Sequence, residues 1–586
     1  MTEKLNIDHI LEKCGNFGRY QLILLGFFCM INVLSSMHYY SQTIISFVPE
    51  HWCYSNLTAS MSVNERRKYH MQFSNPSCTN IDEVLMMKDS PEAEIEYDKS
   101  LCKNDDSLEC LERIINSNST RQQRTEHQNN HKVCKKWIYD YDLLFGYQSM
   151  TSELNWVCEN AWKSITGQST YFIGSVVGTL VLGIFADAIG RLPILIIANI
   201  LGIVGNGLTI FATNEIAFAL CRFISGMATD NNFVMMYILV LEYIDPKMRT
   251  LGLNLCIGIF YCFGSVVTPW IAVWLGNWKL YLLATIIPTL VIPIFYFVVP
   301  ESAEWLISKN RLDEALICYQ RIAKINRRKL DEKFIVDFKT VAADINEQRI
   351  KSNEKQNPSL IALFKTPRLR RLTLILFFKS MIITLGYDAI SKNVEGLGMS
   401  PFILFSLSAS AILPACLVIL ALQDRIGRKA MASSSLLVSG IFTAGSGIIL
   451  AYQQPENQKS NPLLIAALNV IGRFGITMAY NSGAQYATEL IPTCVRAQGV
   501  AAAHVAGYAL TFFSSYILYT ATFFKAMPSL ILGFLSFAGA FCCLFLPETL
   551  NRKTPVTLLD GEEFGRDERF FHFACFDKSV NKKEQQ

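Results

Sequence analysis

The amino-acid sequence predicts an all-α membrane protein with twelve transmembrane helices in two six-helix repeats and a large extracellular loop. Of the 586 residues, 51% are hydrophobic, and they gather in runs of about 20 residues, the length that crosses a bilayer as a helix. Two polar blocks, at 49–165 and 300–372, separate these runs. Short motifs recur at matching places in the two halves, which predicts the repeat.

Taken in order, the chain begins with a polar segment, 1–19, and an apolar run that is too long for the hydrophobic part of a signal peptide, so we expect it to stay as a helix. The N-terminal half is expected at 20–299, the helical loop at 300–372, the C-terminal half at 373–546 and the tail at 547–586. The twelve predicted spans are 20–47, 166–186, 192–212, 216–243, 251–275, 280–299, 373–391, 401–422, 431–452, 463–487, 499–523 and 528–546.

Basic residues near the span ends predict the orientation. The segments 190–192, 245–249 and 424–429 share one side with the basic loop 300–372. Basic residues favour the cytoplasmic side, and an even span count puts both termini there. We therefore expect a multi-pass plasma-membrane protein with a cytoplasmic loop and tail.

The block 49–165 is then extracellular, and its composition agrees with that position. It contains two glycosylation sequons, at Asn56 and Asn118. It also contains an even number of cysteines, which suggests three disulfides with 15 connectivities open. These cysteines are Cys53, Cys78, Cys102, Cys110, Cys134 and Cys158.

Several function classes are disfavoured. The net charge of +4 is too small and diffuse to indicate nucleic-acid binding. The sequence has no phosphate-binding loop, metal-ligand cluster or nucleophile–base signature, so we expect no enzyme, no cofactor and no metal site. A two-fold repeat of six spans also does not suggest the central pore of an ion channel. The bilayer and a small organic substrate are the expected partners.

Three motifs repeat in order, and parallel repeats of this kind are typical of transporters. They are D-x-x-G-R after spans 2 and 8, E-x6-R after spans 4 and 10, and Pro-Glu-Ser or Pro-Glu-Thr after spans 6 and 12. Their main residues are Asp187, Gly190, Arg191, Glu242, Arg249 and Glu301, and Asp424, Gly427, Arg428, Glu489 and Arg496. We hypothesise that these charges form a cytoplasmic network that holds the outward-facing state and breaks when the cytoplasmic side opens; the alternative is interfacial anchoring.

Long segments resemble the organic cation, anion and zwitterion transporter family of the major facilitator superfamily, almost from end to end. This resemblance implies alternating access around a central cavity and small organic ions as substrates. The segments that carry it are "ILEKCGNFGRYQ" at 10–21, "CKKWIYD" at 134–140, "SELNWVC" at 152–158, "PESAEWLISKNRLDEA" at 300–315, "LFKTPRLRRLTL" at 363–374 and "ATELIPTCVRAQGV" at 487–500.

The chain departs from the family pattern at informative places. Ala303 and Glu304 replace the usual Pro-Arg of the signature, and Leu192 replaces a second basic residue. Ile412 and Tyr508 stand where cation carriers have acids, and Tyr508 also replaces the base of anion carriers. Any acid that binds a cation must therefore come from another position.

Two intramembrane acids are candidates, because such carboxylates are rare and costly. Asp230 lies midway along span 4, with Phe233 one turn later, and its alternative role is hydrogen bonding within a polar patch. Asp388 follows Tyr387, which matches a cavity position of the family. Asp388 either faces the substrate or a gate, or forms an ion pair with Lys392 four residues later.

Weaker candidates complete the substrate-binding set. Asn481 and Gln485 lie on span 10, and Tyr508 lies on span 11. His504 and His38 are interpreted as structural or as tuning a pH response. We therefore expect a solute carrier for small organic cations or zwitterions, with an organic anion carrier or a non-transporting, receptor-like relative as alternatives.

Overall fold

The structure is a computed structural model. The residues that it describes are 7–15, 18–54, 62–63, 65–66, 78, 134, 136–244, 246–332, 334–340, 342–343, 360–394, 399–452, 461–550, 552, 554–566 and 568.

Twelve helices in the described residues are long and apolar enough to cross a membrane, which confirms the predicted fold class. Several begin earlier than predicted, because the helix continues into polar residues and keeps their backbone groups hydrogen-bonded. Numbered in chain order, spans 1–12 are Arg19–Ile45, Cys158–Ile189, Arg191–Thr209, Glu215–Tyr243, Leu255–Leu275, Trp278–Val298, Pro367–Lys392, Pro401–Ile426, Arg428–Tyr452, Pro462–Leu490, Gln498–Thr522 and Met527–Leu544.

Three spans are interrupted, and proline accounts for two of these places. Span 11 divides between Arg496–Thr511 and Ser514–Tyr519, with no proline at the break. Span 8 consists of Pro401–Ser410 and Ile412–Ile426, and Pro414 lacks the N–H that would bond to the turn where the first helix ends. Span 6 runs as an α-helix over Trp278–Thr289 and then as short 3₁₀ and α turns past Pro293. These interruptions are not visible in hydropathy, which depends on composition alone.

Each half has its own apolar core. One buried cluster joins spans 1, 2, 3, 4 and 6 to the helices that follow span 6. A second cluster joins spans 7, 9, 10, 11 and 12. Each half thus has a buried cluster of its own, as expected for a repeat, and a smaller cluster joins Cys262 of span 5 to Ala409 and Ile412 at span 8.

Short elements lie at the bilayer face where span 1 begins and span 12 ends, which we call the terminal side; the opposite face is the far side. Asn326, after the second loop helix, accepts from the Tyr20 backbone N–H at 2.9 Å and ties the loop to span 1. These elements are the helices Ile7–Cys14, Ala303–Ser308, Leu312–Ile325 and Leu558–Glu563 and the 3₁₀ turn Leu360–Phe364.

The residues between spans 1 and 2 form a second compact unit, Ser46–Ser164. Strands β1 (Glu50–Cys53) and β2 (Trp137–Asp140) pair antiparallel. The helix Met150–Glu153 and the 3₁₀ turns Asp142–Leu144 and Cys158–Asn160 complete the described part.

Two disulfides cross-link this unit. They join Cys53 to Cys134 and Cys78 to Cys158, so two of the three predicted bonds are present. His51 lies close to the second disulfide, but sulfur atoms bonded to each other are not thiolate ligands, so the group is not a metal site. Cys102, Cys110 and the sequon residues Asn56 and Asn118 lie outside the described residues.

The two halves meet at the middle and far-side parts of their spans. Among the described residues, hydrogen bonds join Tyr39 of span 1 to Asp388 of span 7, at 2.7 Å, and Ser169 of span 2 to Phe512 of span 11, at 3.2 Å. Between spans 5 and 8, Ser406 donates to the Val266 carbonyl at 3.1 Å.

Candidate functional site

Asp230 lies near the middle of span 4, with side chains of both halves close to it. It is half-buried. The Ser175 hydroxyl of span 2 donates to its Oδ2. The Tyr508 side chain of span 11, in the other half, lies close to the same carboxylate. The alternative role for Asp230 is hydrogen bonding within a polar patch. Ser175 and Tyr508 are polar neighbours of this kind, but Tyr508 belongs to the opposite half.

A row of tyrosines continues from Tyr508 into the C-terminal half. Tyr508 also lies close to Tyr480 on span 10. The ring of Tyr480 packs on that of Tyr387, with centroids 4.7 Å apart. The Arg473 guanidinium lies 3.9 Å from the Tyr387 ring centre. Asp230 thus sits at one end of an aromatic row, a setting that favours organic cations because ring faces attract positive charge.

Phe233 belongs to a separate aromatic group on the same span. Its ring stacks on Tyr237, with centroids 5.9 Å apart, and tilts against Phe28 of span 1 at 6.2 Å. Because it lies one turn from Asp230 and is only partly buried, Phe233 extends the aromatic lining from the acid toward the terminal side.

Asp388 forms an ion pair with Lys392, which is one of the two interpretations that the sequence allows. Lys392 Nζ lies 2.7 Å from Asp388 Oδ1, and both side chains are buried. The Tyr39 hydroxyl of span 1 donates to the same oxygen at 2.7 Å. The Lys392 ammonium also lies 4.7 Å from the Phe172 ring centre on span 2. We call Tyr39, Phe172, Asp388 and Lys392 the far-side cluster, and it joins the two halves.

The remaining predicted residues do not gather around Asp230. Asn481 is exposed, and its amide lies 3.7 Å from Cys416 Sγ of span 8. Gln485 donates to Glu489 at 3.0 Å and accepts from Gln423 at 2.6 Å, so it belongs to the terminal-side contacts instead.

The two histidines differ in their surroundings. His38 is buried between Thr289, at 3.1 Å, and Asn206, at 2.8 Å, which matches a structural role. His504 is exposed at the edge of a cavity between spans 7, 10 and 11.

The terminal-side network is built twice, once in each half. In the N-terminal half, Arg191 pairs with Asp187 at 2.8 Å, the Glu301 carboxylate accepts from the Arg191 backbone N–H at 2.9 Å, and Ser302 donates to Glu242 at 2.6 Å. Burial raises the pKa of Glu301, although hydrogen bonds from backbone N–H groups act in the opposite direction.

The C-terminal half repeats these contacts. Arg428 pairs with Asp424 at 3.0 Å and with Glu489 at 3.1 Å. Glu548 accepts from the Arg428 backbone N–H at 2.9 Å, and Thr549 donates to Glu489.

These contacts join neighbouring spans within one half, as the hypothesis of a network across neighbouring helices expects, and none of them joins the two halves. Gly190 and Gly427 both have positive φ, so each turn uses a backbone conformation that suits glycine. Arg496 donates to the Ile491 carbonyl at 3.2 Å. The side chain of Arg249 lies outside the described residues.

Sequence reasoning missed Tyr39 and Tyr480, and it missed three buried cations. These cations are Arg473 beside Tyr387, Lys379 in the cavity with His504, and Arg222, which donates to Asn206 beside His38. For the cations, a signal was available: each is a charged side chain inside an apolar span. The two arginines also open matching segments, "RFISGM" at 222–227 and "RFGITM" at 473–478, a fourth internal repeat. The tyrosines carry no such signal.

Comparisons with known proteins agree with this architecture. A family model described as "Sugar (and other) transporter" matches residues 115–555. The "Organic cation transporter protein" of Drosophila melanogaster is 25% identical over 562 residues, covering 96% of this chain and 95% of the relative. "Solute carrier family 22 member 2" of Rattus norvegicus is 24% identical, covering 96% of both chains.

Two further similarities extend this picture. "Organic cation/carnitine transporter 2" of Homo sapiens is 28% identical and covers 72% of this chain and 73% of the relative. The xylose transporter XylE from E. coli, in a partially occluded inward-open conformation, has a TM-score of 0.53 at 18% identity, covering 70% of this chain and 96% of that chain. The chain therefore belongs to the sugar (and other) transporter family and, within the major facilitator superfamily, to the organic cation transporter family, whose members are solute carriers and not enzymes.

Proposed function

We propose that this solute carrier moves small organic cations or zwitterions across the plasma membrane by alternating access. Asp230 carries the proposal: it is half-buried near the middle of span 4, and both halves contribute its partners. An intramembrane acid is costly and by default marks a functional site. Beside ring faces, it attracts an ammonium group by Coulomb and cation–π interactions.

The aromatic surroundings support an amine more than an organic anion. Tyr508 and Tyr480 present one tyrosine row to the acid, and Phe233 with Tyr237 presents a second pair of rings on span 4. Relatives named organic cation transporters and an organic cation/carnitine transporter agree with a positively charged group on the substrate.

The contacts between the two halves lie at the middle and far-side parts of the spans. Their positions support a conformation in which the far side is closed. The far-side cluster and the contacts of span 5 with span 8 seal one face. On the terminal side, the two networks stay within their own halves and leave those halves free to separate. We propose that the terminal side is cytoplasmic, so that this state faces inward, and that the far-side cluster is the gate that opens toward the outside.

Uptake measurements test the acid site directly. Labelled amines, zwitterions and anions are offered to cells that express the wild type, Asp230→Asn or Asp313→Asn, with surface expression quantified. Asp313 is an exposed carboxylate of the loop helix and serves as the matched control. Because a charge-assisted hydrogen bond contributes about 1.5–3 kcal/mol, Asp230→Asn should raise the KM for amines roughly 10- to 100-fold.

Two outcomes contradict the proposal. Asp230→Asn with unchanged amine uptake overturns the acid site. A wild type that concentrates anions but no amine or zwitterion overturns the substrate class.

A further inference from the structure

A cavity in the C-terminal half lies beside the proposed amine site. It is a small, partly open cleft of about 30 Å³ lined by spans 7, 10 and 11. Lys379, Thr384, Tyr480, Gly483 and His504 are among the residues that line it. Of these, only His504 was singled out from the sequence.

Lys379 differs from the other buried lysines of the described residues. Its side chain has an exposed fraction of 0%. Lys392 and Lys429 are also buried, but Lys392 pairs with Asp388 and Lys429 with Glu568. The contacts described for Lys379 are one hydrogen bond from Nζ to the Gly483 carbonyl, at 3.2 Å, and the Tyr486 ring face, at 5.0 Å.

These two contacts leave the ammonium short of acceptors. A lysine ammonium has three donors, and a buried charge is strongly disfavoured unless it is paired. A ring face and one carbonyl compensate only part of that cost. An anionic group that enters the cavity would supply the missing acceptors and the opposite charge.

The cavity is connected to Asp230 through side chains. Tyr480 lines the cavity and lies close to Tyr508, which in turn lies close to Asp230. A carboxylate from one half thus lies near Tyr508, and an ammonium from the other half shares its cavity with Tyr480. This order of charges is complementary to a molecule with an amine at one end and an acid at the other.

We propose that Lys379 forms the anion subsite of this carrier and binds the carboxylate of a zwitterionic substrate whose ammonium group is held by Asp230. His504 and Tyr480 supply further polar groups at the edge of the subsite. The inference rests on the proposed function, since it assigns the second half of the substrate to the same central site.

A matched pair of probes separates the two ends of the site. γ-Butyrobetaine carries a trimethylammonium and a carboxylate, and n-butyltrimethylammonium has the same cationic head and similar length without the acid. Uptake of both labelled probes is measured for wild type, Lys379→Met, Lys379→Arg and Asp230→Asn. Binding to the purified proteins is measured separately, as the shift in Tm at saturating probe.

Lys379→Met should raise the KM for γ-butyrobetaine roughly 10- to 100-fold, because it removes a charge-assisted contact. Lys379→Met should leave the KM for n-butyltrimethylammonium within about threefold of the wild-type value. This probe has no carboxylate, so the variant removes no charge-assisted contact to it. Lys379→Arg keeps the charge and should retain part of the preference for γ-butyrobetaine. Because Lys379→Met removes a partly compensated buried charge, the unliganded variant should unfold at the same or a higher Tm, so a folding defect is not expected to hide the result.

Other outcomes overturn the subsite. Lys379→Met that weakens both probes equally, or neither, shows that Lys379 does not bind the substrate carboxylate. If a free anion fills the cavity instead, replacing chloride with gluconate will change uptake of n-butyltrimethylammonium by wild type but not by Lys379→Met.

The same data distinguish failure of the Lys379 subsite from failure of the proposed function. Uptake of n-butyltrimethylammonium that depends on Asp230, with no effect of Lys379 on γ-butyrobetaine, overturns only the subsite. A wild type that neither carries nor binds either probe contradicts the proposed function itself.

Discussion

The ion pair between Asp388 and Lys392 is the single contact whose disruption should destabilise the protein most. Both side chains are buried, and Asp388 Oδ2 has no hydrogen-bond partner in the described residues. Lys392→Met therefore leaves a buried carboxylate with only Tyr39 as a donor to Oδ1. We expect a loss of about 3 kcal/mol in the free energy of unfolding, measured by denaturation in detergent.

The double variant Asp388→Leu/Lys392→Met is the matched control. Because it removes both charges, it should recover much of the stability that Lys392→Met loses. If the double variant is as unstable as the single one, packing and not charge accounts for the effect.

At the residue scale, sequence reasoning predicted which residues were unusual but not which residues they contact. Asp230 and Asp388 were identifiable because carboxylates are rare in apolar spans. Tyr39 was not, since it lies 349 positions from the aspartate that it contacts, and span 1 contains several ordinary-looking aromatics. Gln485 was assigned to the substrate site because it lies one turn from Asn481, but it faces Gln423 and Glu489 instead.

At the scale of elements, two glutamates cap the starts of matching spans. Glu301 accepts from the backbone N–H groups of Arg191 and Leu192, and Glu548 accepts from those of Arg428 and Lys429. Each satisfies donors that a helix start leaves free. Glu301→Ala and Glu548→Ala should each lower the free energy of unfolding by about 1 kcal/mol.

Because these capping contacts lie in different halves, the two losses should add in the double variant. Glu304→Ala, at an exposed position beside the first site, should leave the unfolding temperature unchanged. A double variant no less stable than either single one would contradict independent caps.

The β1–β2 ribbon of the insert should weaken in acid. Burial lowers the pKa of His51, whereas the hydrogen bond to the Pro49 carbonyl and the charge of Glu50 act in the opposite direction. Since the unfolded ribbon binds the proton more tightly, its stability is complete above the ordinary pKa of 6.5 and decreases as pH falls through that value toward the lowered folded pKa.

Hydrogen exchange of the β1 and β2 amides in the full chain, between pH 8 and pH 5, measures this effect. The control is His51→Gln, which cannot be protonated in this range and should flatten the pH dependence. Equal acid sensitivity in the variant would assign the effect to another group.

Sequence patterns predicted the elements better than their ends or shapes. Hydropathy located all twelve spans because an apolar run of about 20 residues is typical of a helix that crosses the bilayer. It did not show that span 2 begins at Cys158, since the first residues of that span are polar. The interruption of span 8 near Pro414 also depends on backbone hydrogen bonding, which an average over residues does not record.

At the scale of the whole molecule, the contact of span 5 with span 8 offers a test of alternating access. A Cβ built on Gly258 lies 3.2 Å from Cys416 Cβ, a few tenths of an ångström closer than the usual range in disulfides. Gly258→Cys should therefore form a disulfide with the native Cys416 under mild oxidation. This bond would hold the halves together and abolish most uptake, and dithiothreitol should restore it.

Two variants control for side effects of this cross-link. Gly258→Ala tests the tolerance for a side chain at the site, and Gly258→Cys/Cys416→Ser removes the partner sulfur. Neither should respond to oxidant. Full uptake by a cross-linked protein, with the bond verified by mass spectrometry, would mean that these spans do not separate during transport.

The matching arginines of spans 4 and 10, Arg222 and Arg473, make different contacts with span 1. Arg222 donates to Ser41 at 3.1 Å, and Arg473 donates to the neighbouring Tyr40 at 2.9 Å, so both copies reach adjacent residues of one helix. The first bond lies inside one half, and the second crosses between halves. Under the proposed alternating access, the bond of Arg222 persists through the transport cycle, whereas the bond of Arg473 to Tyr40 breaks each time the halves separate on that face.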